Sequence, residues 1–185
     1  MKEFSTKNNF CVFLTQADDL GRIVIPKEIR RTMRIHEGDP LEIFTESNGT
    51  VIFKKYSPIG ELGEFATQYA ESLSKSTGLP ACITDKDNII AVSGVPKKEL
   101  REKKISGDLE KIMNSKSVYT ASPGSKNIQI ADENDKYEAG VVAPIVFEGD
   151  SIGTVIFIAE PSSKVGEVES KLAETAAGFL GKTME

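Results

Sequence analysis

The sequence has no tryptophan, a single histidine and only two cysteines, and each shortage closes off a class of chemistry. His36 stands beside Glu37 and Asp39 in a turn-forming stretch with no nucleophile close by in sequence, so it reads as a turn or interface residue. Cys11 and Cys82 are too few for a disulfide scaffold and too isolated for a zinc site. Both read as small buried hydrophobes of a reduced cytoplasm. No apolar run approaches the ~20 residues that span a bilayer, so no membrane partner is expected. The N-terminus carries scattered charges and no long apolar core, which is unlike a signal peptide. Phosphate-cradling motifs of the Gly-x-Gly-x-x-Gly and Gly-x-x-x-x-Gly-Lys-Ser kinds are absent. Carboxylates are plentiful, yet nothing pairs two of them in a recognisable site. The expectation is a non-enzyme without cofactor or metal.

What is present is an ordinary globular composition, 39% hydrophobic and 28% charged over 185 residues. That length suits one or two domains near the lower size limit for an independent core. Charge divides the chain unevenly. Residues 1–57 hold nine basic and eight acidic side chains, a balance of +1, which leaves −6 of the total −5 to residues 58–185. The boundary expected from this shift is the stretch Tyr56-Ser57-Pro58-Ile59-Gly60, where proline disfavours a preceding helix and glycine relaxes the chain. The most informative run is DDLGRIVIPKEIRRTMRI, residues 18–35. Between Arg22 and Arg34 it sets Arg22, Lys27, Arg30, Arg31 and Arg34 against Glu28 alone, a local +4 in an acidic protein. A positive patch kept in such a chain points to a polyanionic partner, because Lys and Arg contact phosphates and release condensed counterions. The alternative is a solvated helix face.

The first domain reads mostly as β structure. Residues 10–14 and 22–25 are short apolar, partly β-branched runs. Pro26 suits the start of a helix over 27–33. Residues 36–39 read as a turn, and 41–44 and 51–53 flank Ser47-Asn48-Gly49, a strong hairpin signal. So little sequence cannot close a core by itself. In the second domain Leu62, Phe65, Tyr69 and Leu73 recur at helical spacing over 61–76, with Gly78 and Pro80 as stops. Residues 81–84 and 89–92 flank a polar turn at 85–88. Helices are expected over 99–104 and 107–115, and strands over 127–131, 140–147 and 151–159. A final helix over 165–183 repeats Val165, Val168, Leu172, Ala176 and Phe179. The order helix, antiparallel sheet, closing helix is α+β.

The spacing of Gly-Arg, Pro-Lys, Arg-Arg and Gly-Asp in DDLGRIVIPKEIRRTMRIHEGDPLEIF resembles the swapped-hairpin DNA-binding domain of AbrB-type transition-state regulators. The stretches VIFKKYSPIGELGEFA and VGEVESKLAETAAGFLGK are similar to those sporulation regulators of the family that carry a GAF-like sensory domain. The resemblance implies an AbrB-like swapped-hairpin domain over 1–57 and a GAF-like domain with a central antiparallel sheet over 58–185. It implies a transcriptional regulator, activator or repressor, that binds double-stranded DNA through a dimer of interdigitated hairpins. Self-association to a homodimer or homotetramer and a cytoplasmic location go with it.

The candidate DNA-binding residues are Arg22, Lys27, Arg30, Arg31 and Arg34. Positions 27, 30, 31 and 34 share one helix face. Guanidinium groups contact phosphates bidentately and reach guanine edges, so Arg22, Arg30 and Arg31 should matter most. Alternatively, one or two of the set, Arg34 above all, pair with Glu37 or Asp39 to hold the domain together. Members of the family carry a Gly-Ile-Val-Arg-Arg-like strand just upstream, whereas this chain has Val12-Phe13-Leu14-Thr15-Gln16. Thr15 and Gln16 thus replace two expected cations, which would lower affinity and salt sensitivity. Three readings stay open: a divergent paralogue, a variant start region, or compensation by Lys2 and Lys7. For the GAF-like half, the fold analogy favours a small-molecule effector, with the loops at 93–96 and 122–125 as candidate rims. Its rival is an oligomerisation module whose stripes 62–73 and 165–179 pair across subunits. A second functional class also remains: an antitoxin-like swapped hairpin that meets an acidic protein.

Overall fold

The computed structural model describes residues 4–6, 10–12, 14–122, 124–132, 134–159 and 165–184. The chain separates into two compact units, Met1–Tyr56 and Ser57–Glu185. Lys2 and Lys7 lie outside the described residues.

In the first unit β1 (Phe4–Thr6) pairs antiparallel with β2 (Phe10–Val12). A short helix α1 (Lys27–Thr32) follows Pro26, whose φ of −54° is already helical in sense while its ring removes a donor that would have no partner there. Strands β3 (Leu41–Thr45) and β4 (Val51–Lys55) then form a second hairpin, Leu41 opposite Lys55 and Thr45 opposite Val51. The hairpin connection closes through the Glu46 amide donating to Thr50 O at 3.0 Å, with Gly49 at φ +88°, a conformation side chains disfavour. Residues 22–25, expected as a strand, are not in one. β-branched residues favour an extended chain, but a strand also needs a neighbour to pair with. Here the Thr15 hydroxyl donates to Val24 O at 3.2 Å, and the Val24 side chain lies open to solvent.

Burial sets this unit apart. Among its described residues with an assigned exposure, none is buried. Leu14, Leu20, Val24, Ile43, Phe44, Val51 and Ile52 are all exposed.

The second unit opens with α2 (Pro58–Glu61) and α3 (Gly63–Thr77). The 56–60 stretch, expected as a loose hinge, is partly helical, and Ile59 is fully buried in the unit's core. Next come β5 (Ala81–Asp85), β6 (Ile89–Ser93), α4 (Lys97–Leu100) and α5 (Gly107–Ser115). Then follow β7 (Tyr119–Thr120), β8 (Gln129–Ala131), β9 (Asn134–Phe147), β10 (Asp150–Ile158) and α6 (Glu167–Lys182). The strands form one antiparallel sheet in the order β6-β5-β10-β9-β7, with β8 also paired to β9. β9 and β10 are buried along most of their length because both faces of the sheet are covered.

One face carries α3 and α6. Ala66, Ala70 and Leu73 of α3 and Ala173, Ala176, Ala177 and Leu180 of α6 are buried against Ile83, Val141, Val155 and Phe157. The other face is filled by Cys82, Leu100, Ile105, Leu109, Met113, Ile130, Val142 and Ile156. Burial pushes the Cys82 thiol up to about 12, as expected for an inert core cysteine. Of the helix stripes, Leu73 and Ala176 are buried in this face and Phe65, Tyr69, Val165 and Leu172 pack partly buried against it. Ala66, Ala70, Ala173, Ala176 and Ala177 let α3 and α6 approach the sheet closely. At Gly181 even one methyl would stand 2.4 Å from the Val146 carbonyl oxygen. Phe65, Tyr69 and Phe179 form a ring cluster with centroids about 6 Å apart at the margin of this core, with Phe65 and Tyr69 partly buried against it and Phe179 exposed.

Candidate nucleic-acid interface

The site is built on a turn and a helix. In the turn the Asp18 amide donates to Arg22 O and the Gly21 amide to Asp18 O, both at 3.0 Å. Gly21 has φ +76°, which explains the glycine without any close neighbour. The Asp18 carboxylate accepts the Leu20 amide at 3.0 Å and the Arg22 amide at 2.8 Å on one oxygen, and the Arg22 Nε at 2.7 Å on the other. The backbone and side-chain donors of Arg22, with the Leu20 amide, hold this carboxyl below its usual range. With Nε engaged, the Arg22 guanidinium presents its two terminal nitrogens from a side chain that is 72% exposed. Asp18 is therefore an orienting residue. Its signal was readable in the sequence: an aspartate three residues before a glycine is a turn former.

Lys27, Arg30 and Arg31 are exposed on α1. Arg30 and Arg31 occupy its last turn, where a cation suits the negative end of the helix dipole. The helix ends in a Schellman arrangement: the Ile35 amide donates to Arg30 O at 2.8 Å and the Arg34 amide to Arg31 O at 3.4 Å. The residue that must turn left-handed there is Arg34, at φ +51°, where glycine is the usual choice. Its carbonyl accepts the Lys55 ammonium at 2.8 Å, and Lys55 also approaches Asp39 at 3.7 Å. Asp39 receives the His36 amide at 2.8 Å. Arg34 is half-buried and its carbonyl is tied to β4 through Lys55, while Lys27, Arg30 and Arg31 share an exposed helix face. Arg22 belongs to the separate turn. The role of Lys55 in tying β4 to the end of α1 carried no sequence signal beyond its charge.

Thr15 and Gln16 are exposed, and the bond from Thr15 to Val24 O is one an arginine there could not make through a hydroxyl. In the second unit an open groove of about 360 Å³ runs past Gly63, Asp85, Asn88, Arg101 and Glu102. The rims expected for an effector lie elsewhere. Gly94 is pressed so tightly on Pro80 that a methyl would meet its Cα at 2.7 Å, and Ser122 and Ser125 bond to one another.

The chain is 52% identical over 91% of its length to stage V sporulation protein T of Bacillus subtilis, covering 94% of that protein. The family described as stage V sporulation protein T C-terminal, transcription factor, matches residues 61–185. The chain belongs to the stage V sporulation protein T family of transcription factors. Its first part is 51% identical over 43 residues to the transition state regulatory protein AbrB of B. subtilis, or 23% of this chain and 44% of that one. Residues 14–60 also match the family described as antidote-toxin recognition MazE, bacterial antitoxin. The second unit has a GAF-type fold. A methyl-accepting chemotaxis protein fragment superposes with a TM-score of 0.56 at 18% identity, over 68% of this chain and 89% of that one. The GAF domain of an Acinetobacter phosphoenolpyruvate-protein phosphotransferase does so at 0.55 and 10% identity, over 66% and 81%. As a stage V sporulation protein T homologue, the chain is a sporulation regulator joining an AbrB-like domain to a GAF-like one. No described helix is long and apolar enough to cross a membrane.

Proposed function

We propose that residues 1–57 bind duplex DNA as an intertwined dimer through Arg22, Lys27, Arg30, Arg31 and Arg34, and that residues 58–185 assemble and regulate it. The observation that carries this reading is the exposed face of Lys27, Arg30 and Arg31, beside a turn in which Asp18 aims Arg22 outward. A dimer doubles this face about a two-fold axis, which suits paired half-sites on DNA. Supporting the dimer is the apolar surface of β3 and β4, which one copy leaves exposed. The ring cluster of Phe65, Tyr69 and Phe179, with Phe179 exposed, supports a second contact between copies, and so a homotetramer. The regulator acts in the cytoplasm and is not an enzyme. A small-molecule effector, if the GAF-like unit takes one, has the open groove beside Arg101 as its entry.

The test is a mobility shift on genomic duplex DNA across a salt series. Arg30→Ala/Arg31→Ala removes four cations per dimer, so binding should weaken at least tenfold and the slope of log affinity against log salt should flatten by up to ~3.6. Wild-type affinity and slope in this variant would mean that the face does not read DNA. The match to an antitoxin family favours one second reading, a swapped hairpin that grips a protein through the same surfaces. In that case wild-type protein fails to shift DNA at any salt.

A further inference from the structure

A second basic segment lies in the acidic unit. Residues 97–104 read KKELREKK, five basic residues against Glu99 and Glu102, a local +3 where the surrounding domain carries −6. The lysines around it are mostly satisfied. Lys97 pairs with Glu71, Lys111 and Lys126 with Asp108, Lys136 with Glu99, and Lys171 with Glu174. Lys98, Arg101 and Lys104 are exposed and have no carboxylate partner among the described residues. Of the two acids in the run, Glu99 is taken up by Lys136 and by the Tyr137 hydroxyl. Only Glu102 opposes the three free cations at close sequence range.

The segment is held firmly. Leu100 and Ile105, which bracket Arg101 and Lys104, are fully buried. The Glu102 amide donates to Ile89 O at 2.8 Å, the Ile89 amide to Lys103 O at 2.9 Å, and the Ile105 amide to Asp87 O at 2.9 Å. Glu102 itself is forced to φ +65°, a conformation that persists only where the neighbours fix it. Lys98, Arg101 and Lys104 follow one another at intervals of three along a fixed backbone. The six residue steps from the first to the last reach at most ~20 Å, alongside about six phosphates of one strand at ~3.4 Å each.

We propose that Lys98, Arg101 and Lys104 form a second phosphate-contacting surface through which the GAF-like unit adds sequence-independent affinity for duplex DNA. This rests on the reading that the first unit binds DNA. Three cations are too few to hold DNA alone. They suffice when the same chain already holds it, because tethering turns the second contact into an intramolecular one. An acidic protein partner fits less well, since it gains nothing from that tether. Through this surface, whatever moves the GAF-like unit changes the strength of DNA binding without touching the base-reading helix.

The test uses the full chain and a labelled random-sequence duplex over a salt series. Lys98→Ala/Arg101→Ala/Lys104→Ala should flatten the slope of log affinity against log salt by about 0.9 for each lost phosphate contact, up to ~2.7 per chain. Glu102→Gln should tighten binding and steepen the slope. The control Lys75→Ala/Lys111→Ala/Lys182→Ala removes the same charge elsewhere on the unit and should change neither. If the triple variant binds like wild type while wild type binds well, this inference fails and the reading of the first unit stands. An equal effect of the control overturns it as well, because the cause is then overall charge. If wild type does not bind the duplex, both fall.

Discussion

The two units solve the same physical problem in opposite ways. The GAF-like unit buries its apolar side chains within one chain, on both faces of a single sheet. The AbrB-like unit buries none among its described residues and leaves Ile43, Phe44, Val51 and Ile52 of one hairpin in the open. So few residues enclose a core only with difficulty, and in the proposed dimer the missing surface comes from a second copy. The difference teaches where each unit's stability resides. For the GAF-like unit it is a property of the chain, and in the proposed dimer that of the AbrB-like unit is a property of the assembly and hence of concentration.

The sharpest way to break this contrast is to introduce a charge on the exposed hairpin. Ile43→Asp places a carboxylate where the partner's apolar face should lie, and burying an unpaired charge there is prohibitive. Dimer and DNA binding should both be lost, while the thermal transition of the GAF-like unit stays within a degree or two by calorimetry. Its counterpart is Ile156→Ala in the GAF core, where truncating a fully buried side chain costs about 2–5 kcal/mol. That loss should be the same at every protein concentration.

A smaller effect is expected from Phe179→Lys. Phe179 is 48% exposed on the outer ring cluster, so the core beneath should keep its stability while light scattering shows a smaller particle. Arg34→Gly sharpens the comparison inside the AbrB-like unit. Relieving the left-handed conformation should stabilise it by ~1 kcal/mol in denaturant titration, yet DNA binding should weaken because a cation of the basic face is gone. The smallest effect belongs to pH. Lys126 and Lys111 hold the Asp108 carboxyl down at about 2, below its ordinary value of 3.8. A depressed carboxyl contributes stability that is complete above the ordinary value and is lost as pH falls from there through about 2. Asp108→Asn should remove that acid-sensitive component from the GAF-like unit alone, by an amount kept slight by solvent screening at an exposed pair.

How much of this was legible depended on whether the determinant was local. The hairpin around Ser47-Asn48-Gly49 and the helix after Pro26 follow from turn chemistry, and both are present. The strand pair across residues 148–149 and the α+β order were equally plain. The helix stripes were legible in part: Leu73 and Ala176 are buried and Phe65, Tyr69 and Leu172 pack partly buried against the core, whereas Val168 and Phe179 are exposed. The alanines that complete the buried face stand out too little in a hydrophobic pattern, yet close helix approach needs such small side chains. Residues 22–25 have strand chemistry but no strand in one chain, since pairing is a property of the neighbour. Two-residue β7 is too short to show any period. In the candidate site, charge and spacing located Lys27, Arg30 and Arg31. The Asp18 turn that orients Arg22 is local and readable, whereas the bond of Lys55 to Arg34, 21 residues apart, depends on three-dimensional approach.

The intertwined dimer requires that the AbrB-like unit have no core of its own. Sedimentation equilibrium of residues 1–57, with circular dichroism followed at each dilution, measures this directly. Expected is a dimer that loses its β signal as it dissociates, with no folded monomer at any concentration. A monomer that keeps its structure on dilution would contradict the intertwined dimer and the doubled basic face built on it.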